Sequence, residues 1–223
     1  PSREQEIIEW PRGGHNGGCL RFGHDGYLDS STGDGSGIAD ELQTRQKIDD
    51  LLGSLLRIDV DHQADGRNYA IPADNPFILR TRLHASTRPE IYSFGHRQLW
   101  KYSFDTATGD LWGGEIGQDL WEMVYLIKKG GNYGWSVREG SHPCRPDRPQ
   151  FRIAIEDPIV EHSHNDFRSI TGGFIYHGSR LPELKGNYIY GDFDTGKIWT
   201  FRYSKERVRG QRELTDTAIR LVA

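Results

Sequence analysis

Three stretches of the chain repeat one local pattern, and this repeat limits the fold more than any other feature. They begin at Phe22, Phe104 and Leu184 and read FGHDGYLDSSTGDG, FDTATGDLWGGEIG and LKGNYIYGDFDTGKIW. Each contains a tight turn with glycine, followed by a short strand that holds an aromatic residue and ends in small residues near an acid. Hairpin turns often need a positive φ, which glycine adopts without steric cost. The pattern therefore predicts a series of β-hairpins.

A repeated strand–turn–strand unit with long insertions is typical of the four-stranded blades of a β-propeller. The sequence predicts three to four blades, with approximate bounds 1–61, 88–128 and 130–204. The segments 61–86 and 142–149 are predicted to be insertions between strands. Three blades do not close a ring, and an open set leaves sheet surfaces without neighbours. Either the rest of the propeller lies outside this chain, or copies of the chain associate as a homo-oligomer to complete it.

The composition agrees with an all-β fold and excludes two classes of partner. Hydrophobic residues make up 35% of the 223 residues, and the 27 glycines and 10 tyrosines fit many short strands joined by polar loops. The net charge is −4 and the basic residues are scattered, which argues against a nucleic-acid-binding surface. No apolar run approaches the length of a membrane span. The first residues alternate like a strand, so processing or truncation would hide any export signal.

Local patterns predict individual elements. Apolar residues alternate with charged ones over 56–60, which predicts a strand with one buried face. The segment 123–127 is apolar throughout, as in a strand buried on both faces. One short helical turn is predicted over 41–52. Cys19 and Cys144 form no Cys-x-x-Cys pair, and they are either disulfide-bonded or two free thiols.

A series of segments resembles the soluble quinoprotein aldose and glucose dehydrogenases. The sharpest match is His15-Asn16-Gly17-Gly18 followed by FGHDGYL and TGDG, which is similar to the family's HxGG…FGPDGxLYxxxGDxG run. Further matches follow in collinear order over most of the chain: LLGSLLRIDVD (51–61), YAIPADNPF (69–77), RPEIYSFGHR (88–97), FDTATGDLWGGEIGQDLWEMV (104–124), GGNYGW (130–135) and SITGGFIYHGSRLPELKGNYIYGDFDTGKIW (169–199).

This resemblance implies a six-bladed β-propeller that oxidises an aldose sugar with pyrroloquinoline quinone (PQQ) and Ca²⁺. It also implies an external electron acceptor and a periplasmic or extracellular location. The positions that match the family's site are the general base His15, the residues around the cofactor and the base, Asp34, Arg97 and Gln98, and the Ca²⁺-binding backbone of Gly117 and Gln118.

The residue types suit that chemistry. A sugar hydroxyl must lose a proton as its carbon loses hydride, and imidazole is an effective base near neutral pH. Asp34 would orient the His15 ring, and Arg97 would offer fixed positive charge to quinone oxygens that become anionic on reduction. Ca²⁺ prefers oxygen ligands, including backbone carbonyls, and would polarise the quinone.

Each candidate also has a simpler interpretation. His15 would be a turn histidine, Asp34 a turn-capping residue, and Arg97 the ion-pair partner of Glu90 or Asp105. The remaining histidines considered are predicted to be exposed or structural: His24, His96, His162 and His164.

Some positions depart from the family pattern. Cys19 replaces a polar residue, and Asp29 stands where an aromatic residue is usual, which predicts a local cost if that face is buried. Gln98-Leu99 replaces the frequent Asn-Pro. Lys197 is the one candidate for the late basic residues that clamp the quinone.

Two other functions compete with the dehydrogenase. The first is a non-catalytic extracellular propeller that binds a carbohydrate or protein partner, and the altered Gln98-Leu99 favours it. The second is a Ca²⁺-dependent lactonase, which would need several acidic and Asn side chains around a channel metal. Absence of PQQ binding in folded protein would indicate the binding function, and lactone hydrolysis without added quinone would indicate the lactonase.

Overall fold

The computed structural model describes residues 4–38, 40–41, 43 and 46–214, and these form three four-stranded antiparallel sheets. In each sheet the strands are joined in chain order as a meander. The first sheet contains β1 (Leu20–Phe22), β2 (Leu28–Ser31), β3 (Ser54–Ile58) and β4 (Ile91–Phe94). The second contains β5 (Leu99–Phe104), β6 (Leu111–Glu115), β7 (Trp121–Ile127) and β10 (Val160–Ser163), with the small hairpin β8 (Arg138–Glu139) and β9 (His142–Pro143) inserted after β7. The third contains β11 (Ile170–Ile175), β12 (Tyr188–Asp192), β13 (Ile198–Ser204) and β14 (Arg207–Glu213).

Two hydrophobic clusters join successive sheets face to face. One lies between the first and second sheets and includes Leu55, Tyr102 and Tyr125. The other lies between the second and third sheets and includes Val124 and Tyr188. Burying these large side chains removes apolar area from water, which is the main driving force for this packing. The arrangement confirms the predicted all-β propeller blades.

The sheets differ from the predicted blade bounds at two places. The first sheet ends with β4, which the sequence assigned to the second blade (88–128). The second sheet ends with β10, which the sequence assigned to the third blade (130–204). In both sheets a long insertion separates the third strand from the fourth. A hairpin pattern in the sequence identifies strands that are joined by a short turn. It does not show which sheet is joined by a strand that follows a long insertion.

The structure confirms some local predictions and corrects others. The strand β7 is buried on both faces over most of its length, as predicted. The strand β3 is buried on both faces rather than one, because Arg57 is satisfied inside by Asp25, Asp74 and Asn75. The predicted helical turn over 41–52 is wrong for the described part, which forms turns and bends, while residues 42, 44 and 45 lie outside the described residues.

Helices play a small part in the fold. Two short ones occur among the described residues: α1 (Ile78–Thr81), within the predicted insertion 61–86, and a 3₁₀ turn at Pro182–Leu184. Neither they nor any other helix in the described part of the chain has the length and apolar character to cross a membrane.

Candidate cofactor and active site

A cleft of about 690 Å³ lies at one end of the sheets. In each meander the start of the first strand and the end of the second strand lie at the same end of the sheet. Loops from these positions in all three sheets form the cleft: 14–17, 97–98, 116–118, 168–169 and Phe193. Five of the six predicted site residues line it, namely His15, Arg97, Gln98, Gly117 and Gln118, and the sixth, Asp34, is buried behind His15.

The His15 ring lies between the carboxylate of Asp34 and the guanidinium group of Arg97. Its Nδ1 atom is 2.6 Å from Oδ1 of Asp34, and its Nε2 atom is 3.2 Å from Nη2 of Arg97. A guanidinium group only donates hydrogen bonds, so Nε2 must accept and Nδ1 must carry the proton that is donated to Asp34. This tautomer leaves the basic lone pair of His15 on Nε2. The interpretation of His15 as a simple turn histidine does not account for this pairing.

Asp34 is fully buried and receives four hydrogen bonds. Besides His15, its carboxylate accepts hydrogen bonds from the Ser36 amide (3.0 Å), the Ser36 hydroxyl (3.2 Å) and the Trp135 indole N–H (2.8 Å). Burial raises the pKa of Asp34, but the hydrogen bonds from His15, Ser36 and Trp135 outweigh burial and lower the pKa below its ordinary value. Asp34 is therefore a carboxylate near neutral pH and fixes the His15 ring.

Trp135 is a site residue that the sequence analysis did not single out. Its buried indole donates to Asp34, and the Arg97 guanidinium lies 5.7 Å from its ring centroid. It therefore contacts both partners of His15. The GGNYGW segment was matched to the family as a block, but nothing in its residue types indicates a hydrogen bond to a residue a hundred positions away.

Arg97 is held by its backbone and presents its side chain to the cleft. Its amide donates to Oε1 of Glu115 over 2.6 Å, and Nη1 donates to the Ile116 carbonyl over 3.3 Å. The buried Nε atom has no hydrogen-bond partner among the described residues. The carboxylates named as alternative partners are engaged elsewhere: Glu90 by Arg88 and Asp105 by His177.

Gln98 connects two loops of the cleft. Its amide is mostly buried, and Nε2 donates to the carbonyl oxygen of Gly17 in the loop that carries His15. Its backbone N–H donates to the same Glu115 oxygen as that of Arg97. Gln98 therefore holds the His15 loop against the start of β5.

Gly117 and Gln118 belong to a loop that wraps around a buried carboxylate. Oε1 of Glu139 accepts hydrogen bonds from the backbone N–H groups of four successive residues, 118 to 121, at 2.7, 3.1, 3.2 and 3.2 Å. A Cβ at position 117 would overlap the carbonyl oxygen of Trp121, so the loop requires glycine there. In a trans peptide the C=O points opposite to the N–H. The carbonyls of Gly117 and Gln118 are therefore directed away from Glu139.

The charge of the cleft is positive. Arg97 and Arg168 line it, and no acidic side chain is among its lining residues. Trp100 and Phe193 add partly exposed aromatic surface. Among the described residues, no three His, Cys, Asp or Glu side chains cluster as a metal site. Such a cleft suits an aromatic anion, and a cation within it would depend on carbonyl and water oxygens.

The other sequence candidates lie outside the cleft. His96 is buried between Ser93 and Glu115, and His164 bonds Glu122. His162 bonds Tyr190, and its burial lowers its pKa to about 4. Lys197 faces Asp166 at 3.6 Å rather than the cleft. Cys19 and Cys144 are both free thiols.

Comparison with known proteins agrees with this architecture. HIPL1 protein from Arabidopsis thaliana is 35% identical over 207 residues, which cover 83% of this chain and 29% of HIPL1. Human Hedgehog-interacting protein is 28% identical over 184 residues, which cover 80% of this chain and 23% of that protein. The solved PQQ-bound aldose sugar dehydrogenase from Streptomyces coelicolor shares the fold, with a TM-score of 0.66 and 24% identity over 92% of this chain and 51% of that one.

The chain thus spans about half the length of its solved relative and less than a third of the two longer proteins. The family model for Glucose / Sorbosone dehydrogenase matches residues 5–223, nearly the whole chain. This protein therefore belongs to the glucose/sorbosone dehydrogenase family.

Proposed function

We propose that this chain carries the base and part of the cofactor site of a PQQ- and Ca²⁺-dependent dehydrogenase that oxidises an aldose sugar. The observation that carries the proposal is the chain of contacts from Asp34 through His15 to Arg97 at the wall of the cleft. A buried carboxylate, an oriented imidazole and a fixed cation are the groups that proton removal coupled to hydride loss requires.

His15 is the general base of the proposed reaction. Because Nδ1 is committed to Asp34, Nε2 takes the proton from the sugar hydroxyl, and the resulting imidazolium is stabilised by the Asp34 charge. Arg97 occupies Nε2 in this structure, so the substrate hydroxyl replaces that contact when it binds. Arg97 then directs its guanidinium N–H groups to an anionic acceptor in the cleft.

The charge and the volume of the cleft fit PQQ. Its volume lies within the range of small-molecule sites, and its lining combines Arg97 and Arg168 with the aromatic Trp100 and Phe193. When bound, the quinone accepts the hydride and so supplies the redox chemistry. The protein groups bind its carboxylates, orient the sugar and hold the proton at Nε2 of His15.

The backbone of Gly117 and Gln118 fits Ca²⁺. Both carbonyls point away from Glu139 in a loop that lines the cleft, and Ca²⁺ is bound by oxygen ligands of this kind together with water. These two residues would hold the ion at the wall of the cleft.

The whole reaction depends on more than this chain. We place the protein in the periplasm or outside the cell, where an external acceptor removes the electrons. The ring of six blades is completed by further sequence or by association of chains, since the described residues supply three sheets.

A second candidate function is a non-catalytic propeller that binds a protein or carbohydrate. One relative carries Hedgehog interaction in its name, at 28% identity. The contact between Asp34 and His15 favours the enzyme, because it leaves the basic Nε2 of a part-buried imidazole at the wall of the cleft, where a substrate hydroxyl would bind.

The test is a titration of the chain with PQQ, with and without Ca²⁺, followed by absorbance and then by addition of aldoses. Calcium-dependent binding and reduction of the quinone by sugar would support the dehydrogenase. His15→Ala should abolish sugar oxidation, whereas the control His24→Ala, at an exposed histidine outside the cleft, should not. Full activity of His15→Ala would overturn the assignment, and folded protein that never binds PQQ would favour the binding function.

A further inference from the structure

Glu139 is an unusual buried acid. It is 5% exposed and lies in the short β8–β9 hairpin inserted after β7. Burial of a carboxylate is costly unless a cation or hydrogen bonds compensate it. No Lys, Arg or His forms an ion pair with Glu139 within the part of the chain that the structure describes. Its compensation among protein groups comes from the four N–H groups of residues 118 to 121.

These hydrogen bonds align peptide dipoles across the loop. The N–H of Gln118 points to Glu139 and the carbonyl of Gly117 in the same peptide points the opposite way, and the next peptide repeats this arrangement. An anion at the N–H end of a peptide increases the negative partial charge on its oxygen. The negative charge of Glu139 is thus transmitted to the carbonyls of Gly117 and Gln118, two residues that line the cleft.

We infer that Glu139 is a positioning residue for a Ca²⁺ site made of the neutral carbonyls of Gly117 and Gln118, and that it supplies the negative charge which those ligands lack. The inference rests on the proposed function, because the ion is the one assigned there. Groups behind the ligands of a metal commonly set ligand orientation and affinity in this way.

The position of the Glu139 carboxylate behind the loop also suits the anionic cofactor that is proposed to bind in the same cleft as Ca²⁺. A carboxylate in the cleft would bind Ca²⁺ directly but would repel an anionic cofactor beside it. Glu139 attracts the cation through one peptide layer, and the cleft keeps Arg97 and Arg168 as its charged lining. The arrangement serves a cation and an organic anion side by side.

The test is Ca²⁺ affinity, measured by isothermal titration calorimetry on the whole chain with and without PQQ. Glu139→Gln keeps the shape and an acceptor oxygen but removes the charge, and we expect Ca²⁺ binding to weaken by about 10- to 100-fold. The matched control is Glu156→Gln, which removes a partly exposed carboxylate that pairs with Lys128, outside the β8–β9 hairpin and the loop 117–121. It should bind Ca²⁺ as the wild type does.

The outcomes separate this inference from the proposed function. Wild-type affinity in folded Glu139→Gln would overturn the inference and leave the dehydrogenase proposal intact. Absence of Ca²⁺ binding by the wild type would overturn the cation site, while sugar oxidation with PQQ alone would still support His15 as the base. If Glu139→Gln does not fold, Glu139→Asp provides a second test. Its side chain is one methylene shorter, which moves the charge away from the loop, so we expect weaker Ca²⁺ binding. Unchanged Ca²⁺ affinity would count against the inference.

Discussion

Nδ1 of His15 donates a hydrogen bond to Oδ1 of Asp34 over 2.6 Å, and this contact determines which nitrogen of the ring is basic. Asp34→Asn should reverse the tautomer, because the Asn amide can donate to Nδ1 and Nε2 would then carry the proton. In a serine protease the equivalent change lowers kcat by roughly 10⁴. We expect kcat for sugar oxidation to fall by about 10³ or more in PQQ-reconstituted protein, with PQQ binding retained. Asp61→Asn, at an exposed position, is the control, and a loss below about threefold in Asp34→Asn would contradict the role of Asp34.

Trp135 should contribute to catalysis through Asp34. Trp135→Phe keeps an aromatic ring near Arg97 but removes the N–H that bonds the Asp34 carboxylate over 2.8 Å. We expect kcat to fall by about tenfold with KM little changed, because a supporting hydrogen bond of this kind orients the base rather than the substrate.

Trp199→Phe is the matched control for Trp135→Phe. The indole N–H of Trp199 is also buried, but it has no hydrogen-bond partner among the described residues. Its removal should leave kcat unchanged. Equal losses in the two variants would show that Trp135 acts only through packing.

Asp29 should make the protein less stable as pH rises. It is 2% exposed, and burial, followed by the charge of Asp25, raises its pKa to about 8 despite the opposing effect of Arg57. The folded state therefore binds this proton more tightly than the unfolded state does, and the resulting loss of stability grows between about pH 4 and pH 8. Asp29→Asn, which resembles the protonated acid, should raise the melting temperature at pH 8 by at least 2–4 °C, or about 1 kcal/mol.

The gain from Asp29→Asn should shrink as pH falls and disappear below about pH 4, where the wild-type carboxyl becomes protonated in the unfolded state as well. Glu122, whose burial raises its pKa to about 8, contributes a slope of the same sign that the variant keeps. The control Asp110→Asn, at an exposed position, should not change the melting temperature at pH 5 or at pH 8. A gain for Asp29→Asn that is equal at pH 5 and pH 8 would mean that charge burial is not its cause.

The sequence predicted the hairpins from local signals, whereas the residues assigned to the cleft came from the resemblance to the dehydrogenase family. Glycine turns mark the hairpins, and the collinear segments assigned His15, Arg97 and Gly117 to one site. The supporting residues were not predicted. Glu139 accepts hydrogen bonds from backbone N–H groups that lie 18 to 21 positions earlier in the chain. Trp135 donates its indole N–H to Asp34, which lies 101 positions away. Contacts of this kind depend on the packing of sheets, which periodicity along the chain does not encode. The burial of Arg57 was missed for the same reason, since its partners come from separate loops.

Gly117 should be the position in the cleft least tolerant of a side chain. A Cβ there would overlap the Trp121 carbonyl and come within 2.6 Å of Oε1 of Glu139. Gly117→Ala must therefore open the loop and break the hydrogen bonds to Glu139 that direct its carbonyls away from that carboxylate. We expect Ca²⁺ affinity, measured by calorimetry, to fall by at least tenfold while the sheets persist in circular dichroism. Gly37→Ala is the control, because a Cβ at that position meets no atom closer than 3.8 Å. If Gly117→Ala bound Ca²⁺ as tightly as the wild type, the ion would have to be held elsewhere.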